Sequence, residues 1–359
     1  MDKIKVLIVD DSSVIRSIVK EVLRGDADIE VVGEAKDPFV ARDLIKQLNP
    51  DVLTLDVEMP KMDGITFLSN LMRLRPMPVL MLSTLTTKGA EVTLKALELG
   101  AIDFIAKPSF EELLSTKANF KAMIISKIKF AAKVETQTIK HIIPEKVTSI
   151  QSTFPGCKRA NHLVAIGAST GGTEAIKQVL SMLPSNCPPI VITLHIPKIF
   201  SAHFAQRMNK NCSMNVQEAK HGQKIKEGHV YIAPGDQHLR VECKNGSLFC
   251  ILDDTEEVNR HKPAVDVLFN SLIPIAENTQ AILLTGMGQD GAQGLLNLKE
   301  HRAMTVIQNK QSSLIWGMPG AAFKLNAHIK QTDLLEIAPE LLTYASLDKT
   351  EMKVVKNEK

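Results

Sequence analysis

Leu163-Val164-Ala165-Ile166-Gly167-Ala168-Ser169-Thr170-Gly171-Gly172 runs from an apolar, strand-forming stretch into small residues, with one serine among three glycines. The spacing Gly167-x-Ser169-x-Gly171 is what a sharp strand–turn–helix elbow requires. Glycine accepts the tight turn and lets backbone pass close to a nucleophile. Thr173-Glu174-Ala175-Ile176 then opens a helix whose unpaired N–H groups would face the same point and favour a developing anion. A plain glycine-rich βα turn, or a loop cradling phosphate, would read the same way, so the rest of the chain has to decide.

Downstream, the βα alternation continues. Pro189-Ile190-Val191-Ile192-Thr193-Leu194 leads to His195-Ile196-Pro197, and Ala281-Ile282-Leu283-Leu284-Thr285 leads to Gly286-Met287-Gly288-Gln289-Asp290-Gly291. Met304 to Gln308 is a further strand. Val230 to Ala233, His238 to Val241 and Leu248 to Leu252 read as strands joined by Pro234-Gly235 and Asn245-Gly246 turns, a hairpin excursion from the sheet. Apolar strands alternating with helices imply a doubly wound parallel sheet, whose strand carboxyl ends share one edge. Ser169, His195 and Asp290 can converge there. Ser169 Oγ needs a base to take its proton, His195 is the base suited to neutral pH, and Asp290 would orient the ring and stabilise the imidazolium. The chain order Ser–His–Asp differs from the Ser–Asp–His of α/β-hydrolases, so the elbow does not imply that fold. Taken singly, His195 could be a hydrogen-bonded structural residue and Asp290 the cap of a helix beginning at Gly291. A sharper rival is Gly286-x-Gly288-x-x-Gly291, a dinucleotide-binding pattern. It wants an acid at the end of the next strand to hold a ribose, and Val306-Ile307-Gln308-Asn309-Lys310 supplies none.

Upstream, Ile4 to Val9 is an apolar strand ending in Asp10-Asp11, and Ser12 to Leu23 has helical spacing. Ile29 to Val32, Asp51 to Asp56, Val79 to Ser83 and Ala101 to Ala106 read as strands, with a helix at Pro38 to Leu48. This too is a parallel, doubly wound pattern, and its polar residues sit at strand carboxyl ends. Asp10, Asp11, Asp56, Ser83 and Lys107 should meet in one crevice. Crowded carboxylates repel unless a cation sits among them, and oxygen-only ligands suit Mg²⁺. A carboxylate beside a metal and a lysine can attack a phosphoryl group. Between the halves, Ser109 and Glu112 form a capping box, and a lysine-rich stretch carries Phe120, Ile124 and Ile128. Polar sequence from Thr136 to Gly156 reads as a linker.

Composition narrows the class. A chain of 359 residues suggests about two domains. A net charge of +3 and 4% aromatic residues give no case for nucleic acid. Five cysteines with no Cys-x-x-Cys pair indicate neither a disulfide framework nor a zinc site. No apolar run approaches the roughly 20 residues that span a bilayer, and no signal peptide is visible, so a cytoplasmic location without membrane insertion is expected.

The first half, with Met59-Pro60-x-Met62-Asp63-Gly64 following Asp56, resembles the receiver domain of bacterial response regulators. The resemblance implies that Asp56 accepts phosphate, that Asp10, Asp11 and Asp56 hold Mg²⁺, that Ser83 and Lys107 contact the phosphoryl group, and that Phe104 is the switch aromatic. The second half, through Gly167-Ala168-Ser169-Thr170-Gly171-Gly172, Leu194-His195-Ile196-Pro197, Tyr231-Ile232-Ala233-Pro234-Gly235, Lys262 to Leu268 and Thr285 to Gly291, resembles the chemotaxis protein-glutamate methylesterases. The resemblance covers essentially the whole chain. It implies a flavodoxin-like receiver over 1–115, a linker over 116–158, a Rossmann-like catalytic domain over 159–346 and a tail over 347–359. It further implies Ser169 as nucleophile, His195 as base, Asp290 as orienting acid, an oxyanion hole using the Met287 N–H with Thr170 beside it, and no cofactor for the ester chemistry. The expected substrates are glutamate methyl esters and certain glutamines on chemoreceptor cytoplasmic domains. A chemotaxis histidine kinase is the expected phosphodonor, and the protein is expected to be a monomer. A competing class, a phosphorylation-controlled binding module without catalysis, would lack a member of the triad, and all three are present.

Overall fold

Apolar runs ending in acids build the first of two units in the computed structural model, which describes residues 3–107, 117–134, 154–158, 160–348 and 351. The units are Met1–Ile143 and Pro144–Lys359. In the first, β1 (Ile4–Val9), α1 (Ser13–Arg24), β2 (Ile29–Ala35), α2 (Pro38–Leu48), β3 (Val52–Asp56), α3 (Gly64–Leu74), β4 (Val79–Ser83), α4 (Thr87–Glu98) and β5 (Asp103–Ala106) alternate, followed by α5 (Lys117–Ala131). The sheet order is β2-β1-β3-β4-β5, parallel throughout. Helices cover a sheet of this kind on both faces, so β3 and β4 are buried at every residue. Ser12, Asp37, Asp63 and Thr86 each accept a backbone N–H at the start of α1 to α4, fixing where those helices begin. The sheet reverses direction between β1 and β3, which opens a crevice at the carboxyl ends of those strands.

The stretch read as the start of a linker is part of this unit. Phe120, Ile124 and Ile128 of α5 are buried. Lys127 Nζ lies 2.7 Å from Asp103 Oδ2, and Lys129 pairs with Asp26 and Asp28. Those lysines pair with acids of the first unit, to which α5 belongs. The Ser109–Glu112 capping box, most of the 136–156 stretch and most of the tail lie outside the described residues.

The second unit comprises β6 (Leu163–Ala168), α6 (Gly172–Met182), β7 (Ile190–Leu194), α7 (Lys198–Asn211), β8 (Asn215–Glu218), β9 (Gln223–Lys224), β10 (His229–Ile232), β11 (His238–Lys244), β12 (Ser247–Asp253), α8 (Val265–Ser271), a 3₁₀ turn (Ile273–Asn278), β13 (Thr279–Leu283), α9 (Ala292–Glu300), β14 (Met304–Gln308), α10 (Met318–Lys324), β15 (Lys330–Thr332) and α11 (Leu334–Ser346). A seven-stranded parallel sheet has the order β15-β14-β13-β6-β7-β10-β8. The strand grouped by sequence with the hairpin, β10, belongs to this sheet, where it pairs with β7. The excursion is β11 and β12, joined at Asn245-Gly246 with φ of 49° and 73°, and β9 adds a third antiparallel strand. The chain winds outward from β6 to β7 and returns on the other side at β13. The point of reversal, where a doubly wound sheet places its ligand, therefore lies at the carboxyl ends of β6 and β13.

Candidate active site

The receiver crevice gathers Asp10, Asp11 and Asp56, whose ligand oxygens lie within 4.8 Å of one another. Lys107 reaches in from the end of β5, with Nζ 2.8 Å from both Asp10 Oδ2 and Asp56 Oδ1. Burial pushes the Asp56 carboxyl up, as does the charge of Asp10. Lys107 opposes both, and the group comes to rest at about 6. Three carboxylates against one ammonium leave a surplus of two negative charges in an oxygen-only set, and that fits a hard divalent cation such as Mg²⁺. Ser83 closes β4, and its hydroxyl accepts from Thr93 Oγ1 at 2.7 Å. Phe104 is buried, with Lys127 Nζ 5.5 Å from its ring centre.

In the second unit, Ser169 follows β6 at the reversal point, partly exposed, on the open N-terminus of α6. Gly171 takes φ of 78°, so the chain turns sharply enough to start the helix three residues after the serine. No side chain caps α6, whose Gly172 N–H donates to Ser169 O at 2.7 Å, so the positive end of the helix lies beside the serine. Gly286 packs against the serine so closely that a Cβ there would lie 2.8 Å from Ser169 Cβ and 2.2 Å from Met318 Sδ. Ser169 N donates to Thr285 O at 3.0 Å, so the β13 loop and the elbow are stitched together.

His195 ends β7, the neighbour of β6, and its backbone N–H donates to Ala168 O. Its side chain is 7% exposed, and Nε2 lies 2.9 Å from Asp290 Oδ2. Since Asp290 accepts that proton, Nδ1 is left as the basic nitrogen. Nδ1 is buried with no hydrogen-bond partner. Asp290 caps a helix, though not the one beginning beside it. It accepts from Val265 N at 2.6 Å and Asp266 N at 3.2 Å, the first residues of α8, and also from Asn259 Nδ2 at 2.8 Å. Burial alone would raise the Asp290 carboxyl. The His195 bond and charge, Asn259 and the Val265 N–H outweigh it and hold the group at about 2.

Thr170 is buried, with its carbonyl accepting from Thr285 Oγ1. Met287 is partly exposed between Gly286 and Gly288, and among the described residues its N–H donates to no backbone carbonyl. Two of the three glycines of the dinucleotide-like pattern, Gly286 and Gly291, are closed by packing. A Cβ at Gly291 would lie 2.5 Å from Val265 Cγ1, and Gly286 is closed by Ser169 and Met318. Gln308, at the position where a ribose-binding acid would stand, braces loops by accepting from Thr285 N and donating to Ser312 O.

Three contacts carried no sequence signal. Asn259 also donates to Asp266 Oδ2 at 2.7 Å, and Asp266 accepts from Gly294 N. Burial and the neighbouring Asp290 charge raise the Asp266 carboxyl. The His261 ring stacks on the His195 ring, with centres 3.6 Å apart and planes 14° from parallel.

The CheB methylesterase family model matches residues 164–341, and the response regulator receiver domain model matches residues 6–119. Over 350 residues the chain is 49% identical to the protein-glutamate methylesterase/protein-glutamine glutaminase 2 of Xanthomonas oryzae pv. oryzae, covering 96% of this chain and 98% of that protein. It is 49% identical over 362 residues to the protein-glutamate methylesterase/protein-glutamine glutaminase of Hydrogenovibrio crunogenus, covering 91% of this chain and 95% of that protein. The solved CheB methylesterase catalytic domain of Thermotoga maritima superposes with a TM-score of 0.51 at 33% identity, spanning 52% of this chain and all of that one.

Proposed function

The chain belongs to the CheB methylesterase family and is a protein-glutamate methylesterase and protein-glutamine glutaminase with a receiver domain, and from this we propose that Ser169, His195 and Asp290 carry the hydrolysis. The observation that supports the assignment is the buried His195–Asp290 pair at 2.9 Å beside a serine on a helix N-terminus at the sheet's reversal point. Ser169 Oγ attacks the glutamyl carbonyl as its proton passes to His195 Nδ1. The tetrahedral oxyanion is met by the Met287 N–H and the start of α6. Collapse breaks the bond to methoxide or amide, which leaves as methanol or ammonia with the proton from Nδ1. Water then gives a proton to Nδ1, attacks the glutamyl ester on Ser169, and releases the carboxylate and the free serine. Asp290 stays ionised throughout and balances the imidazolium.

The proposed substrates are the cytoplasmic helices of chemoreceptors, and the proposed location is the cytoplasm with the protein a monomer. Among the described residues no helix is long and apolar enough to cross a membrane. Asp56 is the proposed acceptor of phosphate from a histidine kinase, with Mg²⁺ held by Asp10, Asp11 and Asp56 to neutralise charge on the transferring group. Lys107 then pairs with the phosphoryl oxygens, and phosphorylation raises esterase activity.

Methanol release from receptor membranes labelled on their methyl esters tests both parts. Acetyl phosphate with Mg²⁺ should raise release by wild type and leave Asp56→Asn at its basal rate. Equal stimulation of the two would sink the assignment of Asp56. Gly286→Ala tests the elbow. The added methyl must displace Ser169 or Met318, and a shift of about 1 Å at a nucleophile costs on the order of 10²-fold in rate. Overpacking of this kind costs about 1–3 kcal/mol of stability, which a melting curve reads separately.

A further inference from the structure

Between β12 and α8 the chain makes a small two-residue turn whose geometry serves no strand of the sheet. Val258 and His261 exchange both backbone hydrogen bonds, at 3.1 and 3.0 Å. Asn259 and Arg260 between them have φ of 55° and 67°. Both central residues are thus left-handed, a conformation asparagine accepts readily and arginine does not. The turn is surface chain with an exposed Asn259 and Arg260. Two of its four residues nonetheless reach into the candidate site.

Asn259 turns its amide inward. Nδ2 donates to Asp290 Oδ1 at 2.8 Å and to Asp266 Oδ2 at 2.7 Å, so one NH₂ group holds two buried carboxylates at a fixed separation. Both partners are acceptors only, which fixes the amide with nitrogen facing in. On the other flank, His261 lies face to face with His195 at 3.6 Å. The Asp290 bond holds His195 within its ring plane, and the stack holds it perpendicular to that plane. Left-handed backbone at both central residues is what lets a four-residue turn present side chains from its second and fourth positions to the acid and to the base.

We propose that the Val258–His261 turn is a positioning element for the hydrolytic triad, with Asn259 fixing the Asp290 carboxylate and His261 fixing the plane of the His195 ring. The proposal rests on the reading of Ser169, His195 and Asp290 given above. Asn259 acts through Asp290 and His261 through the face of the His195 ring, so loss of either should lower kcat and leave KM unchanged. Partners of this kind are worth about 10- to 100-fold in activity.

Two variants separate position from fold. Asn259→Gly keeps a left-handed turn and removes only the amide. His261→Phe keeps an aromatic face on His195, whereas His261→Ala removes it. Methanol release should show kcat about 10- to 100-fold lower for Asn259→Gly and His261→Ala, unchanged KM, melting temperatures near that of wild type, and most of the rate restored in His261→Phe. Asn259→Gly added to Asp290→Ala should cost nothing further, because Asn259 acts through a carboxylate already gone. Rates within two-fold of wild type for Asn259→Gly and His261→Ala, while Ser169→Ala is inactive, would overturn the positioning role and leave the triad standing. Equal loss in His261→Ala and His261→Phe with lowered melting temperatures would also overturn it, since the residue would then be only structural. An active Ser169→Ala would overturn both readings.

Discussion

Replacing Ser169 with alanine is expected to lower methanol release on the order of 10⁵-fold, the scale of losing a hydrolytic nucleophile. The loss should come with almost no change in stability. Ser169 is partly exposed, and its anchoring contacts are made by the backbone, N–H to Thr285 O and carbonyl to Gly172 N. Alanine keeps both bonds, the elbow and the open start of α6, so binding of receptor helices and the melting curve should match those of wild type. A small residual rate is expected from direct attack of water assisted by His195 and the oxyanion donors, which the substitution leaves in place. Single-turnover assays on labelled receptor membranes, with co-sedimentation to verify binding, read the two effects apart. A variant that still releases methanol at a tenth of the wild-type rate would mean that the nucleophile lies elsewhere.

The same contrast between backbone and side chain explains how much of this molecule was legible in its sequence. Buried parallel strands are continuous apolar runs, and both sheets could be read because Val79 to Ser83 or Ile190 to Leu194 has no other stable home. Strand ends share an edge in such sheets, so Asp10 and Asp56 could be placed together at the edge of one sheet, and Ser169, His195 and the Gly286–Asp290 loop together at the edge of the other. β8, β9 and β15 are short, polar edge or excursion strands, and nothing in Asn215-Val216-Gln217-Glu218 distinguishes them from loop. The lysines of α5 concealed a packed helix because Lys127 and Lys129 have acidic partners about 24 and 100 residues away. Asn259 and His261 were illegible for a related reason. They sit in a polar stretch with no strand end to mark them, and their contacts with Asp290 and His195 exist only in three dimensions. The choice of Nδ1 as the basic nitrogen follows from which ring nitrogen meets Asp290, and no sequence pattern encodes that.

Asp290→Asn should lower kcat on the order of 10³- to 10⁴-fold, and here the fold should suffer as well. The two carboxylate oxygens accept four donors: Oδ2 takes His195 Nε2 and Val265 N, and Oδ1 takes Asn259 Nδ2 and Asp266 N. An amide has one accepting oxygen, so in either orientation its NH₂ meets two donors. With nitrogen toward His195, it donates to Nε2 and drives the ring proton onto Nδ1, the atom that must receive the Ser169 proton. With oxygen toward His195, the tautomer survives, but Asn259 and Asp266 N lose their acceptor and the imidazolium loses its counter-charge. A buried donor left unsatisfied costs about 1–3 kcal/mol. The carboxylate also contributes through its ionisation. Held at about 2 in the fold, against 3.8 ordinarily, it adds about 2 kcal/mol of stability that is fully present above pH 4 and fades as pH falls through about 2. The stability gap between wild type and Asp290→Asn should therefore be constant at neutral pH and narrow between about pH 4 and 2. Denaturant melts across that range check it. A gap that does not change with pH would show that the ionised carboxylate contributes nothing to stability and that the whole loss comes from mismatched donors.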